Sequence, residues 1–504
     1  MNSQLIMRAK IQKLELPERI GPARKVMLIV PPGTKEESYG RLSAAAGELP
    51  MLGLAFIAAS LRDQGHEVKV FDYEVHRQNF EQVEADIQSF RPDVVGMTGY
   101  ITNMRRCAAT AELTKRLLPD AFVIIGGPQV SIFPKSGLDS PHVDLCVLSE
   151  GEVVIRNVLN VLAQGNEFSD VKGVAYRDES GEVVVNERES LVDDLDIFPS
   201  PALDLYDMNA YKPPTHVRGK KVAHLLSSRG CPFQCTFCET KLTFGQTLRY
   251  HSIEGVIREM GGLIQQGYDS FQFYDDISTL HQPRTKELCQ AIIDKGWKIQ
   301  WMCFTRTNCV SDELLSLMKK AGCYLITFGA ESGNDELLKM IKKQVTVAKN
   351  LIGIQLTRKH KILASSSFML GLPTETKEQT LKTIDFAMTS GLDYAVFPIL
   401  EPYPGTELWD DCKKHGEFDS SGKYSNNLLS EESAVWIPKG RSREELEHMA
   451  QFAMMKFYFR PRQMFRMIEN FYHLPPLRAL QYIWSGVSYF IINRFKSARP
   501  GARF

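Results

Sequence analysis

The chain lacks an excess of either charge. Lysine plus arginine and aspartate plus glutamate number 60 each, so the formal net charge is zero. That balance removes any overall electrostatic case for nucleic acid as a partner. Long apolar runs are also missing. None reaches the roughly 18 residues that span a bilayer. The N-terminus, MNSQLIMRAKIQKLELPERI, has no apolar core of a secretory signal. The expected location is therefore the cytoplasm. Cysteine is sparse, and ten in 504 residues do not make a disulfide scaffold. Seven are scattered (Cys107, Cys146, Cys289, Cys303, Cys309, Cys323 and Cys412) and read as small buried hydrophobes. No internal repeat or low-complexity tract is found. What remains is an ordinary globular composition, 43% hydrophobic and 24% charged. Its length suits about two to four domains.

Residues 1–24 read as an extension. From Lys25 strands and helices alternate: KVMLIVPP, LGLAFIAASLRDQG, EVKVFDYE, VEADIQSFRP, DVVGMTGY, a helix near 104–118, AFVIIGGPQV and VDLCVLSEGE. Short β-branched strands separated by longer helices predict an α/β, doubly wound parallel sheet over 25–165. Residues 166–220 read as a hairpin, VKGVAYRDESGEVVVNERE, and a proline-marked linker. A second series fills 221–440. Its strand-like runs are VAHLLSS, SFQFYDD, KIQWMCF, CYLITFG, ILASSSFML and DYAVFPIL, each followed by a helical stretch. Six such units suit a partial (β/α)6 barrel, whose chemistry belongs at the C-terminal ends of its strands. Residues 441–504 read as helical, with Ser442 and Glu445 at capping-box spacing.

The remaining three cysteines are clustered in SRGCPFQCTFC, directly after the first strand of the second series. Cys231, Cys235 and Cys238 can converge on one cluster from a single loop. A cuboidal 4Fe-4S cluster takes four ligands, so three thiolates leave one iron open to a substrate chelate. Zinc is the rival, with His224 or His251 as a fourth ligand.

CPFQCTFC resembles the CxxxCxφC signature of the radical S-adenosylmethionine (SAM) superfamily, with Phe237 in the aromatic position. The resemblance spans about residues 221–410. It implies a 4Fe-4S cluster on the three cysteines, SAM on the open iron, and reductive cleavage of SAM to a 5′-deoxyadenosyl radical that abstracts hydrogen. Asp275 and Asp276 match an acidic end of the second strand, and Glu331 and Ser332 the end of the fourth. The resemblance places Glu331 and Ser332 on the ribose and methionyl parts of SAM, and Gly371 and Pro373 near the adenine. Arg306, after the third strand, could pair with the SAM carboxylate. Taken singly, each of these polar residues could instead be a helix cap or a solvated loop charge.

In a doubly wound sheet, ligands bind beyond the carboxyl ends of the strands at the switch point. Three loops there are small or glycine-rich: Pro31-Pro32-Gly33-Thr34, Thr98-Gly99-Tyr100 and Gly126-Gly127-Pro128-Gln129. No GxGxxG fingerprint is present, which argues against NAD or FAD. A parallel-sheet domain before a radical SAM core resembles the cobalamin-binding radical SAM enzymes, including the GLAFIAASLRDQGHEVKVFD stretch and the SEGE end. That likeness implies cobalamin near Gly33, Thr98, Gly126 and Gly127. The DxHxxG ligand signature is absent, and Asp72 and His76 lie at the wrong spacing and place. Cobalamin would then carry no protein histidine. The alternative is a purely structural domain.

The C-terminal LRALQYIWSGVSYFIINRFKSARPGARF carries Trp484, Tyr489, Phe490 and Phe495 beside Arg494, Lys496, Arg499 and Arg503. It reads as a helix packed on the barrel, an interfacial helix making peripheral membrane contact, or a lid over an apolar or lipid-like substrate. The leading functional expectation is a class B radical SAM methyltransferase acting on a small molecule. Its electron donor would be of low potential, such as flavodoxin or ferredoxin. The alternative is a cobalamin-dependent cyclase or rearrangement enzyme resembling the anaerobic magnesium-protoporphyrin monomethyl ester cyclase. A methylthiotransferase would need a second, N-terminal cysteine triad, and only Cys107 and Cys146 precede the motif. A corrinoid sensor would need an output domain.

Overall fold

The computed structural model describes residues 10–34, 47–214, 217–418, 436–461 and 463–466. Its first sheet is built on β1 (Lys25–Val30), β2 (Glu67–Asp72), β3 (Val94–Thr98), β4 (Phe122–Gly126) and β5 (Leu145–Val147). These five are parallel, in the order β2-β1-β3-β4-β5. β1 is buried along almost its whole length, as its unbroken apolar run requires of a strand covered on both faces. The covers are α1 (Leu52–Asp63) and α4 (Gly151–Gln164) on one face, and α2 (Phe80–Phe90) and α3 (Met104–Leu117) on the other. Strand order reverses between β1 and β3, so the switch point lies beyond their C-terminal ends.

The hairpin does not stand apart from this sheet. β6 (Val174–Arg177) and β7 (Val183–Val185) add to β5 in antiparallel fashion and make the sheet seven-stranded. Without them β5 would present an open edge. The linker then folds back on the first unit. Tyr206 Oη donates to the Met51 carbonyl at 3.1 Å, and Tyr211 Oη to Asp72 at 2.6 Å.

The second sheet holds β8 (Val222–Leu225), β9 (Ser270–Phe273), β10 (Gln300–Thr305), β11 (Cys323–Glu331), β12 (Leu363–Phe368) and β13 (Tyr394–Val396). All six are parallel and adjacent in chain order, which makes a partial barrel. Helices α5 (Ile253–Gln265), α6 (Gln282–Asp294), α7 (Asp312–Lys320), α8 (Asp335–Met340), α9 (Val347–Lys359) and α10 (Lys377–Thr389) run between the strands. Ser252, Ser311, Thr346 and Thr376 accept the N3 amide at four of their starts. Each such cap contributes about 1 kcal/mol. After α11 (Glu407–His415), α12 (Arg443–Tyr458) closes over the barrel with Leu446, Met449, Ala453 and Phe457. Among the described residues, no helix is long and apolar enough to cross a membrane. The aromatic and basic stretch from Trp484 to Arg503 lies outside the described residues.

Candidate active site

The cysteine loop leaves the barrel through a two-residue antiparallel pair, Ser228–Arg229 against Arg249–Tyr250. Asp275, at the end of β9, holds its base. One carboxylate oxygen accepts from the amides of Ser227 (2.6 Å) and Ser228 (3.1 Å), and the other from Ser227 Oγ at 2.6 Å. Burial pushes the Asp275 carboxyl up, against these hydrogen bonds. Asp276 accepts from Thr240 Oγ1 at 3.0 Å, on the far side of the loop. Gly230 has φ +91, and a Cβ there would lie 2.4 Å from the Thr247 carbonyl, so only glycine fits this turn.

Cys235 is buried, while Cys231 and Cys238 are partly open. Burial raises the Cys231 thiol to about 11 and the Cys238 thiol above its usual range. Loading iron must therefore displace protons. Among the described residues, no three His, Cys, Asp or Glu side chains surround one point as a single metal ion requires. A cuboidal cluster asks for something else, because each thiolate takes its own iron. Phe237 packs with Leu337, Leu338 and Leu372 beneath the loop.

Arg306 follows β10 and is buried against the loop. Its guanidinium lies 3.8 Å over the Phe233 ring, and Nη1 is 3.5 Å from Cys235 Sγ. Its Nε and Nη2 are buried with no partner. Orphaned donors beside the Cys235 thiol are what a bound carboxylate would satisfy, so the residues fit SAM. Glu331 ends β11 at φ +64, where the β11–β12 register shifts. Its carboxylate takes Lys343 Nζ at 2.8 Å, over Gly329. The sequence reading missed Lys343, which no motif marks. Ser332 turns inward instead, 3.1 Å from Thr383 Oγ1. Gly371, at φ +82, packs against Leu446 of α12, and its amide donates to Glu375.

The first sheet offers a rim of bare backbone. A Cβ at Gly126 would make only ordinary contact with Val147, Gly127 takes φ +99, and a Cβ at Gly127 would meet Thr98 Oγ1 at 2.7 Å. The Gly99 amide donates to the Gly126 carbonyl at 2.7 Å and ties the loops after β3 and β4 together. A Cβ at Gly33 would fall on the Arg106 guanidinium. His76 is exposed on the turn after β2, two residues beyond Glu74, whose carboxylate lies beside Gly33.

The two rims face one another. Gly405, after β13, lies against Ile132 and Phe133 behind the Gly127 loop. Arg188 bridges Ser131 and Leu242. Glu239 and Glu401 gather with Tyr403 opposite Tyr100, and burial lifts Glu401 to about 8. A thiol-bearing barrel set against a glycine-bare switch point is the architecture of a radical SAM core served by a corrinoid domain. Residues 40–159 match the B12 binding domain and residues 225–387 the radical SAM superfamily.

The chain belongs to the cobalamin-binding radical SAM enzymes. It is similar to an uncharacterised methyltransferase of Pyrococcus horikoshii, 32% identical over 448 residues, covering 87% of this chain and 93% of that one. It is also similar to the anaerobic magnesium-protoporphyrin IX monomethyl ester cyclase of Rubrivivax gelatinosus, 29% identical over 75% of this chain and 69% of that one. The fold matches the radical SAM methyltransferase TsrM of Kitasatospora setae, solved with cobalamin and a 4Fe-4S cluster, at a TM-score of 0.68 and 17% identity. That match covers 88% of this chain and 90% of the other. The protein is thus a radical SAM enzyme with a B12 binding domain, so SAM and cobalamin are among its cofactors.

Proposed function

We propose that the enzyme transfers a methyl group to an unactivated carbon of a small-molecule substrate held between the two rims. The observation that carries this is likeness along nearly the whole of a methyltransferase, across both units. The bound groups supply an electron for SAM cleavage, a carbon-centred oxidant and a methyl donor. Cys231, Cys235 and Cys238 would hold the cluster through their thiolates. Arg306 Nε and Nη2 receive the SAM carboxylate. Glu331, fixed by Lys343, meets ribose hydroxyls. Phe237 and Gly371 shape the adenosyl side, while Ser332 Oγ bonds Thr383 Oγ1 and accepts from the Asn334 amide at the start of α8. Asp275 positions the cysteine loop rather than touching a ligand. Gly33, Thr98, Gly126 and Gly127 would hold the corrinoid. A low-potential donor such as flavodoxin or ferredoxin completes the system.

Cyclisation is the second reading, favoured by the likeness to the magnesium-protoporphyrin cyclase. One experiment separates them. Protein reconstituted anaerobically with iron, sulfide and hydroxocobalamin is given SAM and a low-potential reductant. S-adenosylhomocysteine together with 5′-deoxyadenosine supports methyl transfer. Deoxyadenosine alone, with cobalamin bound, supports cyclisation.

A further inference from the structure

The SEGE end of the first unit lies at the switch-point sheet, yet its two acids face the other unit. Arg249 grips Glu150 with both terminal nitrogens, at 2.8 and 2.7 Å. Arg229 reaches the same Glu150 at 3.3 Å and Glu152 at 2.7 Å. The Arg229 guanidinium is sandwiched between the rings of Phe56 and Phe198, 4.9 Å from each. All four charged side chains are more than nine-tenths buried, and they balance as two acids and two bases. Arg229 sits two residues before Cys231, and Arg249 is its strand partner. Glu150 is the N-cap residue of α4 and Glu152 lies in its first turn, shortly after β5.

We propose that Glu150, Glu152, Arg229 and Arg249 form an interdomain clamp that sets the cysteine loop at a fixed distance and angle from the corrinoid rim. A buried charge cannot leave its partner without being stranded in an apolar setting, so the network has one low-energy arrangement. Bidentate arginine–carboxylate pairs fix direction as well as separation. The two residues that pin the loop base come from the barrel, and the two that receive them come from the cobalamin unit. The clamp therefore defines the spacing across which a substrate carbon must meet both cofactors, which is how it bears on the methyl-transfer reading.

The test begins on the full-length chain without cofactors. Amide hydrogen exchange is compared between parent, Glu150→Gln and Arg249→Lys. Peptides covering 226–251 and 149–153 are expected to exchange about tenfold faster in both variants, while β10 and β12 keep the parental rate. Arg249→Lys keeps the charge and serves if Glu150→Gln does not fold. Parental exchange in the loop, or equal acceleration through both sheets, would overturn the clamp. The reconstituted variants, at parental iron content, are then expected to release about tenfold more 5′-deoxyadenosine per S-adenosylhomocysteine, because a misplacement near 1 Å is costly to a two-centre reaction. A parental ratio despite a loosened loop would overturn the positioning role. If the parent releases neither product, the methyl-transfer reading fails, and the exchange arm still decides the clamp.

Discussion

At Arg306 a fully charged side chain is buried and only partly used. Its ring contact and the approach to Cys235 occupy one face and one nitrogen, while Nε and Nη2 point to no acceptor. Each buried orphan costs about 1–3 kcal/mol, which a carboxylate ligand would return on binding. Replacing Arg306 with Ala is expected to weaken SAM binding about 10- to 100-fold, measured by calorimetry on reconstituted protein, with iron content unchanged. Loss of iron along with it would assign Arg306 to the loop instead of the ligand. The three cysteines make a simpler forecast. Alanine at Cys231, Cys235 and Cys238 should abolish iron and sulfide incorporation and the brown colour. A full complement in the triple variant would remove the cluster from this loop. Lys343 is the residue with no sequence signal. Its replacement by Met leaves the Glu331 carboxylate buried and unpaired, at an expected cost of about 3–5 kcal/mol in urea unfolding. The double variant Glu331→Gln, Lys343→Met should be milder.

Among the elements, β8 carries a titratable group into the sheet. His224 is buried, stands opposite Gln272 in register, and meets the Tyr274 ring edge-on at 5.1 Å. Burial lowers its pKa from 6.5 to about 4. Above pH 6.5 it is neutral whether folded or unfolded. Between 6.5 and about 4 the unfolded chain binds the proton and the folded one does not, so stability falls with pH across that window. The loss approaches about 3 kcal/mol. His224→Gln is expected to flatten the urea midpoint between pH 7 and 4.5 relative to the parent, and an unchanged slope would refute the assignment. The elements themselves were largely legible. Each of the six barrel strands falls on one of the strand-like runs, although β12 carries three serines in LASSSF and buries only alternate positions. α9 was not marked: its buried residues include Asn350 and Thr357, so no clean apolar stripe shows. Asn350 instead bonds Thr307 Oγ1 and the Ala330 carbonyl, tying the ends of β10 and β11.

At the scale of the molecule, two β/α units meet rim to rim. The hairpin illustrates how such a layout escapes a linear reading. Its turn residues were visible, but joining the first sheet depends on the free edge of β5. Gly127 shows the same limit in reverse. A glycine-rich loop was legible, whereas the positive φ and the 2.7 Å approach to Thr98 Oγ1 depend on two strands side by side. Gly127→Ala is expected to destabilise the apo-protein by about 1–3 kcal/mol and to weaken hydroxocobalamin binding, read by equilibrium dialysis. Unaltered retention of cobalamin would place the corrinoid elsewhere.

The sequence by itself determined what is local: the spacing of three thiols on one loop, the alternation that builds two parallel sheets, and the small residues after β1, β3 and β4. These follow from chain geometry over a few residues, where side-chain type and backbone preference act directly. Only the tertiary structure decided the partners. Arg249 meets Glu150 across 99 residues and Arg229 meets it across 79. Arg306 meets Cys235 across 71. A charge is legible in a sequence, but its partner is chosen by which surfaces the folded sheets bring together.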